Sequence, residues 1–167
     1  MISERDAAVI AAQLGRPPRG LLAVAHRCPC GLPDVAETAP WLPDGSPFPT
    51  LYYLTCPRAA AAVSKLEATG IMRDMTARLA DEALSRRYQA AHRDYLARRE
   101  AAARSAGTGP LPPGTQSAGG MPDRVKCLHA LVAHELAAGR VNPFGREALD
   151  AIGEWWLPGP CIAEPCP

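Results

Sequence analysis

Residues 50–55, TLYYLT, mark the point where this chain changes its kind of structure. Two tyrosines and two threonines make this the best strand in the sequence. It runs straight into Cys56-Pro57, and proline suits a first helical position. A short helix is expected over residues 3–15, capped by Ser3 and stopped by Gly15, with Ala7, Ile10, Ala11 and Leu14 on one face. After it, strand signals precede the junction at Cys56 and helical signals follow it. Residues 21–25 (LLAVA) read as a strand and residues 35–38 as a weaker one, joined through Cys28-Pro29-Cys30-Gly31. The predicted fold class is therefore α+β. A small, mostly antiparallel sheet over residues 21–56 packs with four to five helices.

Beyond Pro57 a helix is predicted up to Thr69, with Gly70 ending it. A long helix follows over about 72–104, carrying the pairs Asp74–Arg78 and Glu82–Arg86. Residues 105–122 hold five glycines and four prolines and read as a loop. Asp123 is placed to cap a helix over 123–139, and a short helix is expected at 147–154. Residues 1–156 read as one domain, and 157–167 as an irregular proline-rich tail.

Composition bounds the core. The chain is 47% hydrophobic. Alanine supplies much of that, and Leu, Ile, Val and Phe together make up less than a fifth of the chain. The aliphatic core is thin and invites a further stabiliser. A formal charge of +1 argues against a charged disordered chain and gives nucleic-acid binding no support. No run of apolar residues is long enough for a membrane span, and the N-terminus lacks a secretory signal. The expected setting is cytoplasmic, where thiols stay reduced and six cysteines point to metal or thiol chemistry.

Four cysteines stand at structural junctions: Cys28 and Cys30 in a turn, Cys56 at a strand end, Cys127 near a helix start. Turns and element ends let ligands converge, and thiolates suit zinc or an iron–sulfur cluster, with the Cys-Pro steps favouring the cluster. The competing reading is four buried small hydrophobes. His26 and His129 are additional candidate ligands. His129 joins only if the helix starts after Cys127, because two helical positions apart is about 200° round. Cys127 and His134 lie roughly 10 Å apart along a helix and cannot share one ion. Cys161 and Cys166 read as ordinary tail thiols, a redox pair or late ligands.

Two further constellations carry chemistry. Tyr88, His92, Tyr95 and Arg99 share one helix stripe, either as a polar ligand wall or as core residues with polar ends. Gly119, Gly120, Arg124 and Lys126 form a glycine turn with basic residues leading into a helix, an anion site or a plain linker. Together with Tyr88, His92 and Arg99 they would make a small-molecule anion site, with a cysteine as nucleophile. Trp155-Trp156 and the tail would instead anchor a protein partner, unless both rings close the core.

The strings RCPCGLPDVAETAP, PFPTLYYLTCP and RVKCLHALVAH resemble a bacterial, mainly actinobacterial family, domain of unknown function 501. The resemblance spans roughly Leu21 to Trp156. It implies a bacterial cytoplasmic setting and transfers no catalytic residue.

Overall fold

The computed structural model describes residues 2–163. Helix α1 (Glu4–Leu14) starts where Ser3 Oγ accepts the Asp6 N–H at 3.1 Å. It ends at Gly15, whose φ of 70° is open to glycine at little cost. Strands β1 (Leu21–Arg27), β2 (Pro33–Thr38) and β3 (Tyr52–Leu54) form an antiparallel sheet in that order. Leu21 pairs with Thr38, and Val35 with both His26 and Leu54. The α+β fold read from the sequence is the fold observed. Strand β1 runs two residues further than predicted and takes in His26. A bidentate pair from Arg27 to Asp6, at 2.9 and 2.7 Å, fastens α1 to the end of β1.

The helical half is α2 (Pro57–Glu67), α3 (Ile71–Ala77), α4 (Glu82–Ser105), α5 (Leu128–Ala138) and α6 (Pro143–Ile152). With α1 that makes six helices among the described residues, against the four to five expected. The single helix predicted over about 72–104 is interrupted by a 3-10 turn at Arg78–Ala80. Asp81 is extended, and its Oδ1 accepts the Leu84 N–H at 2.8 Å, so a new helix is capped there. The two predicted i, i+4 pairs survive on either side, at 3.0 and 2.6 Å.

Helix α5 starts five residues later than predicted. Asp123 does not cap it, because N–H groups in the 123–127 stretch are satisfied elsewhere. Val125 donates to Thr76 Oγ1 at 2.9 Å and Lys126 to the Gly119 carbonyl at 2.7 Å. Helix α6 starts four residues earlier than predicted, since Asn142 caps the Gly145 N–H at 3.0 Å and Pro143 takes the first position. A Cβ on Gly145 would overlap the Leu131 carbonyl, so glycine there lets α5 and α6 approach closely.

The core lies between the sheet, α4, α5 and α6. Its largest buried members include Tyr88, Tyr95, Phe144, Leu128 and Leu131. Tyr88 packs edge-on against Phe144 with ring centres 4.9 Å apart. Buried alanines, including Ala59, Ala91, Ala103, Ala133 and Ala148, line the helix contacts, so part of the alanine excess is core after all. Trp155 packs against this core and Trp156 stacks edge-on to it at 4.7 Å. Among the described residues, no helix is long and apolar enough to cross a membrane.

Candidate metal centre

Because α5 begins at Leu128, the condition for His129 to join Cys127 is met. Cys127 occupies the N-cap position in extended backbone, and His129 follows one residue inside the helix. The end of α2 brings Glu67 to the same place. One donor atom from each of Glu67, Cys127 and His129 lies within 4.8 Å of the others. This is the one such group of three or more among the described residues.

Hydrogen bonds orient each member. Glu67 Oε1 accepts the Leu128 N–H at 2.7 Å, which fixes the carboxylate at the first turn of α5. His129 Nε2 lies 3.1 Å from the Ala60 carbonyl, which can only accept. That nitrogen therefore carries the proton and donates, with Ser64 Oγ also close at 3.2 Å. The other nitrogen, Nδ1, faces Glu67 Oε1 at 3.1 Å. In the neutral ring this sets a lone pair against a carboxylate oxygen, a contact that needs a cation between or beside the two. A proton on Nδ1 supplies it as an ion pair; a metal supplies it by coordination. Donor pairs around a tetrahedral zinc with bonds near 2.0–2.1 Å stand about 3.3 Å apart, close to the observed separation. Half-burial at 31% for the histidine and 22% for the glutamate leaves an approach from solvent.

Cys127 and His129 also line a cavity of about 700 Å³. Gly119, Gly120, Arg124 and Lys126 line it too, so the glycine turn and the basic pair proposed for anion binding sit beside the cysteine and histidine. Tyr52 and Tyr53 add an aromatic side. Both glycines have positive φ, 62° and 91°, and a Cβ on Gly119 would meet Leu131.

The stripe on α4 is placed differently. Neither Tyr88, His92 nor Arg99 lines this cavity. Tyr88 is buried and its hydroxyl donates to the Arg124 carbonyl at 2.9 Å. His92 Nδ1 meets Ser117 Oγ at 2.7 Å. Arg99, 5% exposed, donates to the carbonyls of Pro49, Gln116 and Thr115 at 3.0, 2.7 and 3.3 Å. Tyr95 accepts the Leu51 N–H at 2.6 Å. These side chains hold the 105–122 loop and the approach to β3 from within.

The remaining cysteines gather in pairs. Cys28 and Cys30 face each other across their turn, and burial pushes the Cys28 thiol up to about 12. Cys56 neighbours Cys161, and burial pushes it up to about 11. Gln13 Nε2 donates to Cys161 Sγ at 3.3 Å. His26 Nδ1 is taken by Asp34 at 2.7 Å. Cys166 lies outside the described residues. Of the four cysteines read as ligands, Cys127 alone enters the three-donor group; Cys28, Cys30 and Cys56 do not converge on it. Glu67 carried no signal in the sequence. It is remote from Cys127 along the chain, at the end of an ordinary amphipathic helix.

A family model described as a protein of unknown function (DUF501) matches residues 24–150. No curated protein and no solved structure matches the chain.

Proposed function

The chain belongs to the DUF501 family, and from that premise we propose that it binds one divalent metal ion through Glu67, Cys127 and His129. The observation that carries this reading is the convergence of three donor atoms of different chemistry within 4.8 Å, with His129 Nδ1 turned toward Glu67 Oε1 at 3.1 Å. A backbone carbonyl behind a ligating histidine, and an N–H behind a ligating carboxylate, are the usual outer partners of a metal site. One thiolate, one imidazole and one carboxylate suit zinc. An iron–sulfur cluster is held chiefly by thiolates, so the donor set favours zinc over the cluster that the Cys-Pro steps suggested. Three protein ligands leave a fourth position, which the neighbouring cavity would fill with water or an anionic ligand held by Arg124 and Lys126. The reducing cytoplasm, where this reading sets the protein, keeps Cys127 available as a ligand.

Cobalt(II) titration of the metal-stripped protein tests this. One equivalent per chain, with a thiolate-to-cobalt charge-transfer band, is expected. Cys127→Ser should abolish the band, and Glu67→Gln, which keeps the cap on α5, should weaken binding by at least the roughly tenfold that losing an outer-shell partner costs. A cobalt spectrum without the thiolate band, or one unchanged in Cys127→Ser, would overturn the assignment.

A further inference from the structure

A second cavity, about 640 Å³, opens at the other end of α5, where the chain turns into α6. Six charged side chains line it, three of each sign: Arg87, Arg140 and Arg146 against Asp94, Glu135 and Asp150. Their hydrogen bonding is uneven. Asp94 Oδ2 is occupied by His134 Nε2 at 2.8 Å and Arg98 Nε at 2.7 Å. Glu135 is 1% exposed, and its Oε1 accepts the Val141 N–H at 2.8 Å. Its Oε2 is buried and accepts no hydrogen bond; Arg146 Nε stands off at 3.8 Å. A buried carboxylate oxygen without a donor is costly, and here it belongs to a cavity wall.

The basic side offers two exposed guanidiniums. Among the described residues, no acidic partner meets the side chains of Arg87 and Arg140. Arg140 has φ of 58°, the only non-glycine in the left-handed region among the described residues. Such strain collects where a side chain must be presented in a particular place. The helix ends act in the same sense. The C-terminus of α5 favours a cation near Glu135, and the N-terminus of α6 favours an anion near Pro143, another lining residue.

We infer that this cavity binds a small zwitterionic ligand, with an ammonium group on Glu135 Oε2 and a carboxylate or phosphate on Arg87 and Arg140. The ammonium supplies the donor that Glu135 lacks. The anion pairs with two exposed guanidiniums that meet no carboxylate among the described residues. The site is separate from the metal centre, since Glu135 lies six residues beyond His129, about 9 Å along the helix. Its failure or success leaves that reading untouched.

Matched ligand pairs test the inference by calorimetry on the full chain. Glucosamine 6-phosphate against glucose 6-phosphate, and glutamate against 2-oxoglutarate, each differ in the amine. The phosphate pair and the carboxylate pair distinguish the two anion types. In at least one pair, the amine-bearing member should bind roughly tenfold to a hundredfold more tightly, the range expected for a charged hydrogen bond. Glu135→Gln should erase that preference. Arg140→Gly should weaken binding while the melting temperature holds or rises, because glycine accepts the positive φ. Equal binding within both pairs, no binding of either pair, or a preference that survives Glu135→Gln would overturn the proposal.

Discussion

Replacing Arg99 with alanine discriminates most sharply between a ligand-binding arginine and a structural one. Its guanidinium sits 5% exposed and reaches three carbonyls, two on the 105–122 loop and one at Pro49. A hydrogen bond from a charged donor contributes about 1.5–3 kcal/mol. The contact to Thr115, at 3.3 Å, is the weakest of the three, and desolvating the guanidinium offsets part of the gain. Alanine also leaves a void and three carbonyls without their donor. The expected loss is about 3–5 kcal/mol, a fall in melting temperature of roughly 6–20 °C for a chain of this size. Urea denaturation reads the first and a thermal scan the second. Amide exchange should accelerate across residues 115–121 and stay slow in the β1–β2 pair. Arg99→Lys should recover less than half, since one ammonium cannot span the fork. A loss below about 1 kcal/mol with unchanged exchange would refute the clamp and return Arg99 to the ligand-binding candidates.

Gly145→Ala should cost about 1–3 kcal/mol despite alanine's better helix propensity, because the new methyl meets the Leu131 carbonyl; a stabilised variant would contradict the close α5–α6 contact. Burial holds the His134 imidazole below its usual range, and Asp94 does not reverse this; His92 is lowered by burial as well. The folded protein therefore resists taking up these protons, so stability present above the unfolded value near 6.5 should fall as pH drops through it. The slope is at most about 1.4 kcal/mol per pH unit for each group. Urea midpoints that stay flat between about pH 7 and pH 5 would sink that account. Arg78 forks onto Glu147 at 3.1 and 2.7 Å, but both side chains are 39% exposed. Glu147→Gln should therefore cost under about 1 kcal/mol by urea melt, and a larger loss would show that this pair ties α6 to the 3-10 turn more firmly than its exposure allows.

Much of the fold was legible because its signals are local. Ser3, Gly15, Cys56-Pro57 and Gly70 each act within a turn of their own position, and the elements they bound are where the spacing put them. The misplaced boundaries share one cause. Asp81 and Asn142 are good caps inside stretches that looked helical or looped, and Asp123 is a good cap that the chain does not use. Which cap operates depends on where the neighbouring N–H groups find acceptors. Thr76 Oγ1 and the Gly119 carbonyl decided that for residues 123–127.

The candidate site divides the same way. Residue chemistry alone marked Cys127, His129, Gly119, Gly120, Arg124 and Lys126, and all six line one cavity. Sequence could not supply Glu67, because its part in the site comes from the packing of the end of α2 against the start of α5. Nor could it sort the cysteines: packing set Cys28 beside Cys30 and Cys56 beside Cys161, and left Cys127 beside an imidazole and a carboxylate. By itself the sequence determined the element types, most of their ends and the inventory of reactive groups, since propensity and capping act over a few residues. Tertiary structure alone decided which of those groups meet. Convergence within 4.8 Å of donor atoms from the end of α2 and the start of α5 is a property of packing and not of spacing.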